Sequence, residues 1–231
     1  MRKALVWTGV MVLIFSSVKV WSEGKGRDPG EPFGAQYVGS VKCASCHKQI
    51  YDTFMKSGHP WKLSKVVNNK PPHLPFTQIP SPPEGYTWSD ISYVIGGYAW
   101  KARFMDKKGY IITGADQNAK TQWNFANPIV GKEAGWVPYN PGKKEMKYDC
   151  GPCHTTGYRP TGNQDNLPGI VGTWAEPGIQ CEACHGPGSL HVANPYGIKL
   201  QVVRDSELCA KCHRRGAVEM VNAKGGIHRA S

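Results

Sequence analysis

The sequence predicts a loop-rich fold with a few short α-helices, a small inserted β-sheet and a core formed largely by bound groups. Among its 231 residues are 27 glycines and 18 prolines, which disfavour long regular elements. Hydrophobic residues still make up 40% of the chain, enough for a globular rather than a disordered protein. All eight cysteines fall in one repeated pattern. Groups bound through these cysteines would cross-link a loop-rich fold.

The repeated pattern is Cys-x-x-Cys-His, and it occurs four times. Two thiols three positions apart can form thioethers with the vinyl groups on one edge of a porphyrin, and the next residue then offers a ring nitrogen to the iron. The sequence therefore predicts a multihaem cytochrome c with four haem c groups stacked in its core. The attaching cysteines would be Cys43, Cys46, Cys150, Cys153, Cys181, Cys184, Cys209 and Cys212. The proximal iron ligands would be His47, His154, His185 and His213.

Three other uses of cysteine explain this pattern less well. A disulfide framework does not require a histidine after every second cysteine. Zinc ribbons use Cys-x-x-Cys pairs without the adjacent histidine. A thioredoxin-like motif is single and lies at a strand-to-helix turn. Four complete copies with no cysteine left over therefore favour haem attachment.

The remaining histidines are candidates for the second axial position on each iron. The chain has eight histidines, the number that four haems with two axial histidines each would need. This match favours six-coordinate, low-spin iron. His59 follows the first motif closely, and His191 lies six residues after His185. His73 lies in a proline-rich loop and His228 near the C-terminal end, where chains tend to fray.

The first residues predict export from the cytoplasm. Arg2 and Lys3 form a short basic start, residues 4–15 are almost wholly apolar, and small residues follow. This is the layout of a secretory signal peptide, which we assign to residues 1–22. The apolar run is too short to cross a bilayer comfortably, so we expect no stable membrane span. The predicted location is the periplasm or the outer surface of the cell.

The positive charge of the chain does not indicate nucleic-acid binding. Removing residues 1–22 takes away three basic residues and no acidic one, which lowers the formal net charge from +11 to +8. Each haem adds two propionate groups, so four haems would nearly cancel this charge. The lysines and arginines are also scattered, whereas a nucleic-acid footprint concentrates them in one patch.

The chain after the signal divides into a flexible lead and one domain. Residues 23–36 are rich in glycine, proline and charge and are predicted to be flexible. Residues 37–231 form a single predicted tetrahaem domain. Within it, residues 43–57 predict a helix, and residues 60–85 contain seven prolines and predict an extended loop. Residues 86–140 predict the β insert.

The insert is predicted to be a β-hairpin or a three-stranded sheet. Its strand-like segments are residues 92–95, 98–104 and 110–113, with a turn at residues 106–109. We expect its many aromatic side chains to pack in the core and against haem rather than to bind a ligand. Three of the four motifs follow within residues 150–213, so the spacing places three haems close together.

Longer stretches around the motifs resemble known cytochromes. Residues 37–47, followed by residues 57–61, resemble the opening of tetrahaem cytochromes related to the electron acceptor of hydroxylamine oxidoreductase. Residues 93–104, 109–113 and 173–189 resemble outer-surface tetrahaem cytochromes of metal-reducing bacteria more closely.

The resemblance extends over about residues 37–228 and implies an electron carrier rather than an enzyme, working in extracellular or periplasmic respiration. Members of that group polymerise into extracellular filaments with a continuous haem chain, in which a distal histidine can come from the neighbouring subunit. The implied partners are redox proteins, extracellular metal oxides or other terminal acceptors, and further copies of the chain. In those relatives the segment matching residues 225–228 continues further, whereas here three residues follow it.

The residues themselves leave a second function open. A haem enzyme that reduces nitric oxide, hydroxylamine or a similar small nitrogen compound would need one iron with an open face. One of the distal candidates, His73 or His228, would then not be a ligand. The match between eight histidines and four haems favours electron transfer.

Overall fold

The helices of the molecule form at the cysteine motifs. The computed structural model describes residues 34–213. In that range the helices are α1 (Ser40–Phe54), α2 (Gly151–His154), α3 (Cys181–His185), α4 (Ser189–Ala193) and α5 (Glu207–His213). All but α4 belong to a haem motif. A spacing of three residues places both thiols of a motif on one side of a helical turn, which explains why each motif adopts this conformation. No helix in this range is long and apolar enough to cross a membrane.

The first helix differs at both ends from the predicted residues 43–57. It begins at Ser40 and ends at Phe54. Gly39, directly before it, has a φ of 86°, a left-handed conformation that glycine adopts without strain. The backbone leaves helical geometry at His47, where φ is −115°. The helix is therefore two short helical segments that meet at the proximal histidine of the first motif.

The insert is a larger sheet than the sequence predicts. In the described part of the chain a five-stranded antiparallel sheet has its strands in sequence order. The strands are β1 (Leu63–Lys65), β2 (Ile91–Gly96), β3 (Lys101–Asp106), β4 (Lys120–Asn124) and β5 (Gly135–Pro138). A second, two-stranded sheet pairs β6 (Thr155–Thr156) with β7 (Glu176–Pro177) and lies between the second and third motifs.

Two of the three predicted strands are confirmed and the third is wrong. Residues 92–95 lie within β2, and the end of residues 98–104 lies within β3. Residues 110–113 form no strand, because only Ile111 makes bridges, to Met105 and Met146.

The first strand, β1, lies inside the stretch predicted to be only an extended loop. Pro60 begins a 3₁₀ turn over residues 60–62, and the three proline-free residues that follow retain the N–H groups needed to pair with β2.

The protein core lies on both faces of this sheet. Successive side chains of a strand point to opposite faces, and in β2 Tyr93 and Ile95 face one hydrophobic cluster while Val94 faces the other. Because both faces of the sheet are covered, β2 is buried from Ile91 to Ile95 rather than alternating between buried and exposed residues. The core therefore belongs mainly to the insert and the residues that cover it.

Asp165 ties the sheet to the segment that leads into the third motif. Its Oδ2 accepts a hydrogen bond from the hydroxyl of Tyr93 at 2.5 Å and forms an ion pair with Lys65 at 2.7 Å. Burial by itself would raise the pKa of Asp165, but the contacts with Lys65 and Tyr93 outweigh it and hold the pKa below its ordinary value. The ionised carboxylate is therefore stabilised by folding.

Replacing this carboxylate tests the link between sheet and motif segment. Asp165→Asn should lower the free energy of unfolding by about 1 kcal/mol or slightly more, because a charged hydrogen bond is lost at a partly solvated site. The folded-state pKa lies below the unfolded one, so the contribution is present at neutral pH. It disappears as the pH falls below about 4 through the folded-state pKa.

Thermal unfolding of the haem-loaded protein at several pH values measures this effect. Asp52→Asn is the matched control, because it breaks the exposed Lys48–Asp52 pair of α1 and should change stability by less than about 0.5 kcal/mol. Equal losses in the two variants, or a loss for Asp165→Asn that does not shrink as the pH falls below about 4, would contradict the assignment.

Candidate haem-iron centres

The motif helices lie against one another in two pairs. Helix α1 contacts α3, and α2 contacts α5. At the first contact the side chains of Cys43 and Cys181 interact with each other. At the second contact Cys212 interacts with Cys153, and its Sγ lies 4.0 Å from the carbonyl oxygen of Pro152. The first motif therefore lies beside the third, and the second beside the fourth.

The two pairs of motifs meet through the third and fourth. Cys184 of the third motif interacts electrostatically with Cys209 and with Cys212 of the fourth. The four attachment points therefore follow one another in space in the order one, three, four, two. This order differs from the order along the chain.

The attaching thiols lie in partly apolar surroundings. Burial, followed by the nearby Cys181 and Glu182, raises the pKa of Cys43 to about 11. Burial, followed by Cys153, raises the pKa of Cys212 to about 11. Both shifts favour the uncharged thiol.

Two proximal histidines each face a predicted distal histidine. The ring centroids of His47 and His191 are 6.3 Å apart, and their planes differ by 15°. The ring centroids of His59 and His213 are 6.2 Å apart, and their planes differ by 79°. Each pair joins the proximal ligand of one motif to a histidine far away in the sequence.

These separations fit an iron between the two rings. A histidine nitrogen lies about 2.0–2.1 Å from a bound first-row metal and about 1.1 Å from its own ring centroid. Two imidazoles on opposite sides of one iron therefore have centroids about 6.3 Å apart. Both pairs have this separation, so the residues present fit the axial ligands of a six-coordinate haem.

Three of the candidate ligands are oriented by backbone carbonyls. In each case the ring Nδ1 binds a carbonyl oxygen, and a carbonyl can only accept. The distances are 3.1 Å from His154 to Lys62, 2.9 Å from His185 to Gln201 and 2.6 Å from His191 to Ile198. With the proton on Nδ1, Nε2 is left with a lone pair for a metal, an arrangement typical of ligating histidines.

The position of His59 is fixed by its backbone. Its carbonyl oxygen accepts the N–H of Ile179, two residues before the third motif, at 3.0 Å. Gly178 allows this approach, because a Cβ there would lie 1.9 Å from the carbonyl oxygen of Pro60.

Burial, followed by the charges of Lys62 and His213, lowers the pKa of His59. The neutral ring that this favours is the form that binds a metal.

The other two distal candidates are not part of a described ring pair. His73 is exposed and lies on the wall of a cavity of about 470 Å³ that Met55, Trp61 and Lys70 also line. His228 lies outside the described residues, as do the predicted signal peptide and most of the flexible lead. Both histidines remain predicted ligands.

The sequence does not predict the roles of two acids that bind backbone near the start of α1, of which Glu182 is buried and Glu176 is half-buried. Glu182, inside the third motif, is 2% exposed and accepts four backbone N–H bonds. Glu176 accepts hydrogen bonds from the backbone and the hydroxyl of Ser40, at 2.9 and 3.0 Å. Burial raises the pKa of Glu176 despite these bonds, and the charge of Glu182 raises it further.

The sequence contains one indication that Glu182 has a special role. The same position in the other motifs holds Ala44, Gly151 and Ala210, so only the third motif carries an acid there. An acidic side chain placed beside a haem is costly to bury unless it is hydrogen-bonded. The sequence contains no comparable signal for Glu176.

Comparison with known proteins supports the haem interpretation. Residues 118–186, which contain the second and third motifs, match the family model described as Cytochrome c554 and c-prime. Curated protein sequences give no match. The outer cell wall cytochrome OcwA is 26% identical, with a TM-score of 0.54 over 78% of this chain and 38% of that one. The undecaheme cytochrome from the S-layer of Carboxydothermus ferrireducens is 25% identical, with a TM-score of 0.51 over 79% of this chain and 26% of that one.

The four motifs and these likenesses together support a multihaem c-type cytochrome. The matched family implies covalently bound haem c at the Cys-x-x-Cys-His motifs. The chain spans less than two fifths of the length of OcwA or of the S-layer cytochrome. The octaheme sulfite reductase MccA of Wolinella succinogenes is 20% identical, with a TM-score of 0.46 over 82% of this chain and 36% of that one, a likeness too low to bear on function.

The two ring orientations predict two kinds of electron paramagnetic resonance signal from the oxidised cytochrome. Nearly parallel imidazole planes, as in His47 and His191, separate the iron d orbitals and give a rhombic low-spin signal. Nearly perpendicular planes, as in His59 and His213, leave two orbitals close in energy and give a strongly anisotropic signal. Low-temperature spectra should contain both. A spectrum without the strongly anisotropic signal would contradict the His59–His213 pair.

Removing one distal histidine should open one iron. His191→Ala or His59→Ala should each let the reduced protein bind about one carbon monoxide per chain, since only one haem loses its sixth ligand. Absorption changes during a carbon monoxide titration measure the number of sites. Val192→Ala, on α4 beside His191, is the matched control and should bind none. Unchanged spectra in both histidine variants would show that the ring pairs are not iron ligands.

Proposed function

We propose that the chain is an electron carrier that uses four covalently bound c-type haems, each with two axial histidines. The two histidine pairs with centroid separations of 6.2 and 6.3 Å carry this proposal. An iron with a histidine on each face has no open position for a substrate, so it can exchange electrons without forming a bond to a reactant. The haem supplies the redox chemistry, and the protein supplies its ligands, orientation and surroundings.

The ring pairs assign the ligands of two haems. The first haem takes His47 and His191, and the fourth takes His213 and His59. Both assignments join the beginning of the described chain to its end, so each haem would also act as a cross-link across the fold.

For the second haem we propose His154 and His73. Support comes from the backbone around Lys62. The ring of His154 binds the carbonyl of Lys62, and the strand that follows Lys62 lines the cavity on whose wall His73 lies. The third haem would take His185, with His228 of the same chain or of a neighbouring copy as its second ligand.

The spatial order of the motifs supports an electron path. Adjacent attachment cysteines imply haems with adjacent edges, and the contacts run from motif one to three, from three to four and from four to two. We therefore propose that electrons pass through the haems in that order. The first and second haems would lie at the ends of the path, where partners or further copies of the chain could exchange electrons with them.

The haems would also supply a core to residues 181–213. None of the described hydrophobic residues from 181 to 213 is buried. Several of them are exposed, and they are Val192, Tyr196, Ile198 and Val202. These side chains lie close in sequence to the third-motif histidine and to His191, so the faces of the haems would cover them.

The similar structures support a place outside the cell. They are described as outer cell wall and S-layer cytochromes, and the sequence predicts an export signal. We propose that the protein acts at the outer surface or in the periplasm, between redox proteins and terminal acceptors such as extracellular metal oxides. We propose further that the protein assembles into a homopolymer with haem contacts between subunits. Electron micrographs of the native secreted protein test this assembly.

Carbon monoxide distinguishes a carrier from a haem enzyme. The dithionite-reduced wild-type protein should keep a low-spin spectrum under carbon monoxide or nitric oxide, and the pyridine haemochrome assay should give four haems per chain. Rapid ligand binding by the wild-type protein would overturn the proposal. It would favour instead an enzyme that reduces nitric oxide, hydroxylamine or a related nitrogen compound at a five-coordinate iron.

A further inference from the structure

Glu182 lies between the two cysteines of the third motif, yet its side chain contacts backbone outside that motif. Its carboxylate is buried within the fold, at 2% exposure. Oε1 accepts the N–H of Val38 at 3.0 Å and that of Gly188 at 2.7 Å, and Oε2 accepts the N–H of Val38 at 3.1 Å and that of Gly39 at 2.8 Å. One side chain thus holds backbone from two separate segments.

The first of these segments is the start of α1. Val38 and Gly39 directly precede Ser40, where α1 begins. The N–H groups at the start of a helix have no partner within the helix, so an acceptor there fixes where the helix begins. A negative charge at this end is also favourable to the helix dipole. Helix α1 carries His47.

The second segment is the start of α4. Gly188 is the residue directly before the first residue of α4, Ser189. Its N–H makes the shortest of the four bonds to the carboxylate. Helix α4 carries His191. The two helices that Glu182 holds at their beginnings are therefore those whose histidine rings face each other at 6.3 Å.

We propose that Glu182 is a positioning residue for the axial ligands of the first haem. It sets the separation of α1 from α4 and so the separation of His47 from His191. The inference rests on the proposed function, because it takes this histidine pair to be an iron site. It adds that an acid of the third haem motif controls the coordination of the first haem. The two haems would therefore be coupled through protein structure as well as through electron exchange.

A carboxylate suits this task better than an amide. All four contacts come from three backbone N–H groups, with that of Val38 shared between the two oxygens, and both carboxylate oxygens accept from them. The amide of a glutamine would present one acceptor oxygen and turn its NH₂ group towards N–H groups that it cannot bind. Glu182→Gln therefore keeps the shape of the side chain while it releases one of the two helices.

The readout is the electron paramagnetic resonance signal of the first haem, assigned by its loss in His191→Ala. In Glu182→Gln we expect the rhombic signal of this haem to broaden or to lose most of its intensity, while the strongly anisotropic signal of the fourth haem is retained. The reduced variant should bind carbon monoxide at the first haem in part of the molecules. The reduction potential of that haem should rise, because a buried negative charge near it is removed.

Two further variants distinguish the effect of helix position from the effect of losing the charge of Glu182, and both from the general effect of a glutamate-to-glutamine change. Gly188→Ala keeps the acid but places a Cβ 3.2 Å from Oε1 of Glu182, so the carboxylate or α4 must shift by a few tenths of an ångström. It should perturb the first-haem signal with a smaller change of potential. Glu133→Gln makes the same chemical change on an exposed loop residue and should leave every signal unchanged.

The outcomes decide between this inference and the proposed function. If the wild-type protein itself binds carbon monoxide or lacks the rhombic signal, the proposed bis-histidine carrier fails before any variant is considered. If the wild-type protein behaves as a carrier but the first-haem signal is the same in Glu182→Gln, the role of Glu182 is overturned. If Glu182→Gln does not accumulate with its haems, an unchanged first-haem signal in Gly188→Ala overturns that role.

Discussion

The buried carboxylate of Glu182 connects parts of the chain that no regular element connects. Val38 and Glu182 are 144 positions apart, and in a loop-rich protein such distant segments are held only by specific contacts. Hydrogen bonds that connect Gln36 with Ser189 strengthen the same junction. The junction brings the first motif beside the third, and the adjacent cysteines Cys43 and Cys181 follow from it. The haem-bearing half of the molecule is therefore organised by polar contacts more than by apolar packing.

The inserted sheet has the complementary role. It contains most of the apolar core, and its first strand emerges directly from the turn that includes Lys62, whose carbonyl orients His154. Lys65 and Tyr93 then bind Asp165 and hold the segment between the second and third motifs against the sheet. A stable sheet thus provides fixed backbone acceptors for a region that has little packing of its own. This explains why an insert without any haem motif still bears on the haem sites.

The sequence specified the chemistry well and the spatial arrangement poorly. Haem attachment depends on residue types at short spacing, so the motifs and the helices at them could be predicted locally. Pairing of His47 with His191 depends on contacts across most of the chain, which no local pattern encodes. Strand β4 contains Gln122 and Asn124 and lacks a clear alternation of apolar and polar residues, so it carried no periodic signal. Tyr110 to Thr113 is apolar and β-branched, but the residues that face it form single bridges rather than a ladder.

The two histidine pairs differ in ways that bear on the direction of electron flow. His191 donates a short hydrogen bond, 2.6 Å, to the carbonyl of Ile198, and such a bond increases the electron donation of the ring to its iron and favours the ferric state. In the proposed arrangement the carboxylate of Glu182, which holds the starts of α1 and α4, would favour the same state at the first haem. His59, in contrast, is partly buried near Lys62, and a positive charge nearby would favour the ferrous state of an iron that this ring binds. Under the proposed ligand assignment these surroundings would make the first haem the more reducing of the two, so an electron that enters there would pass to the fourth haem downhill in energy.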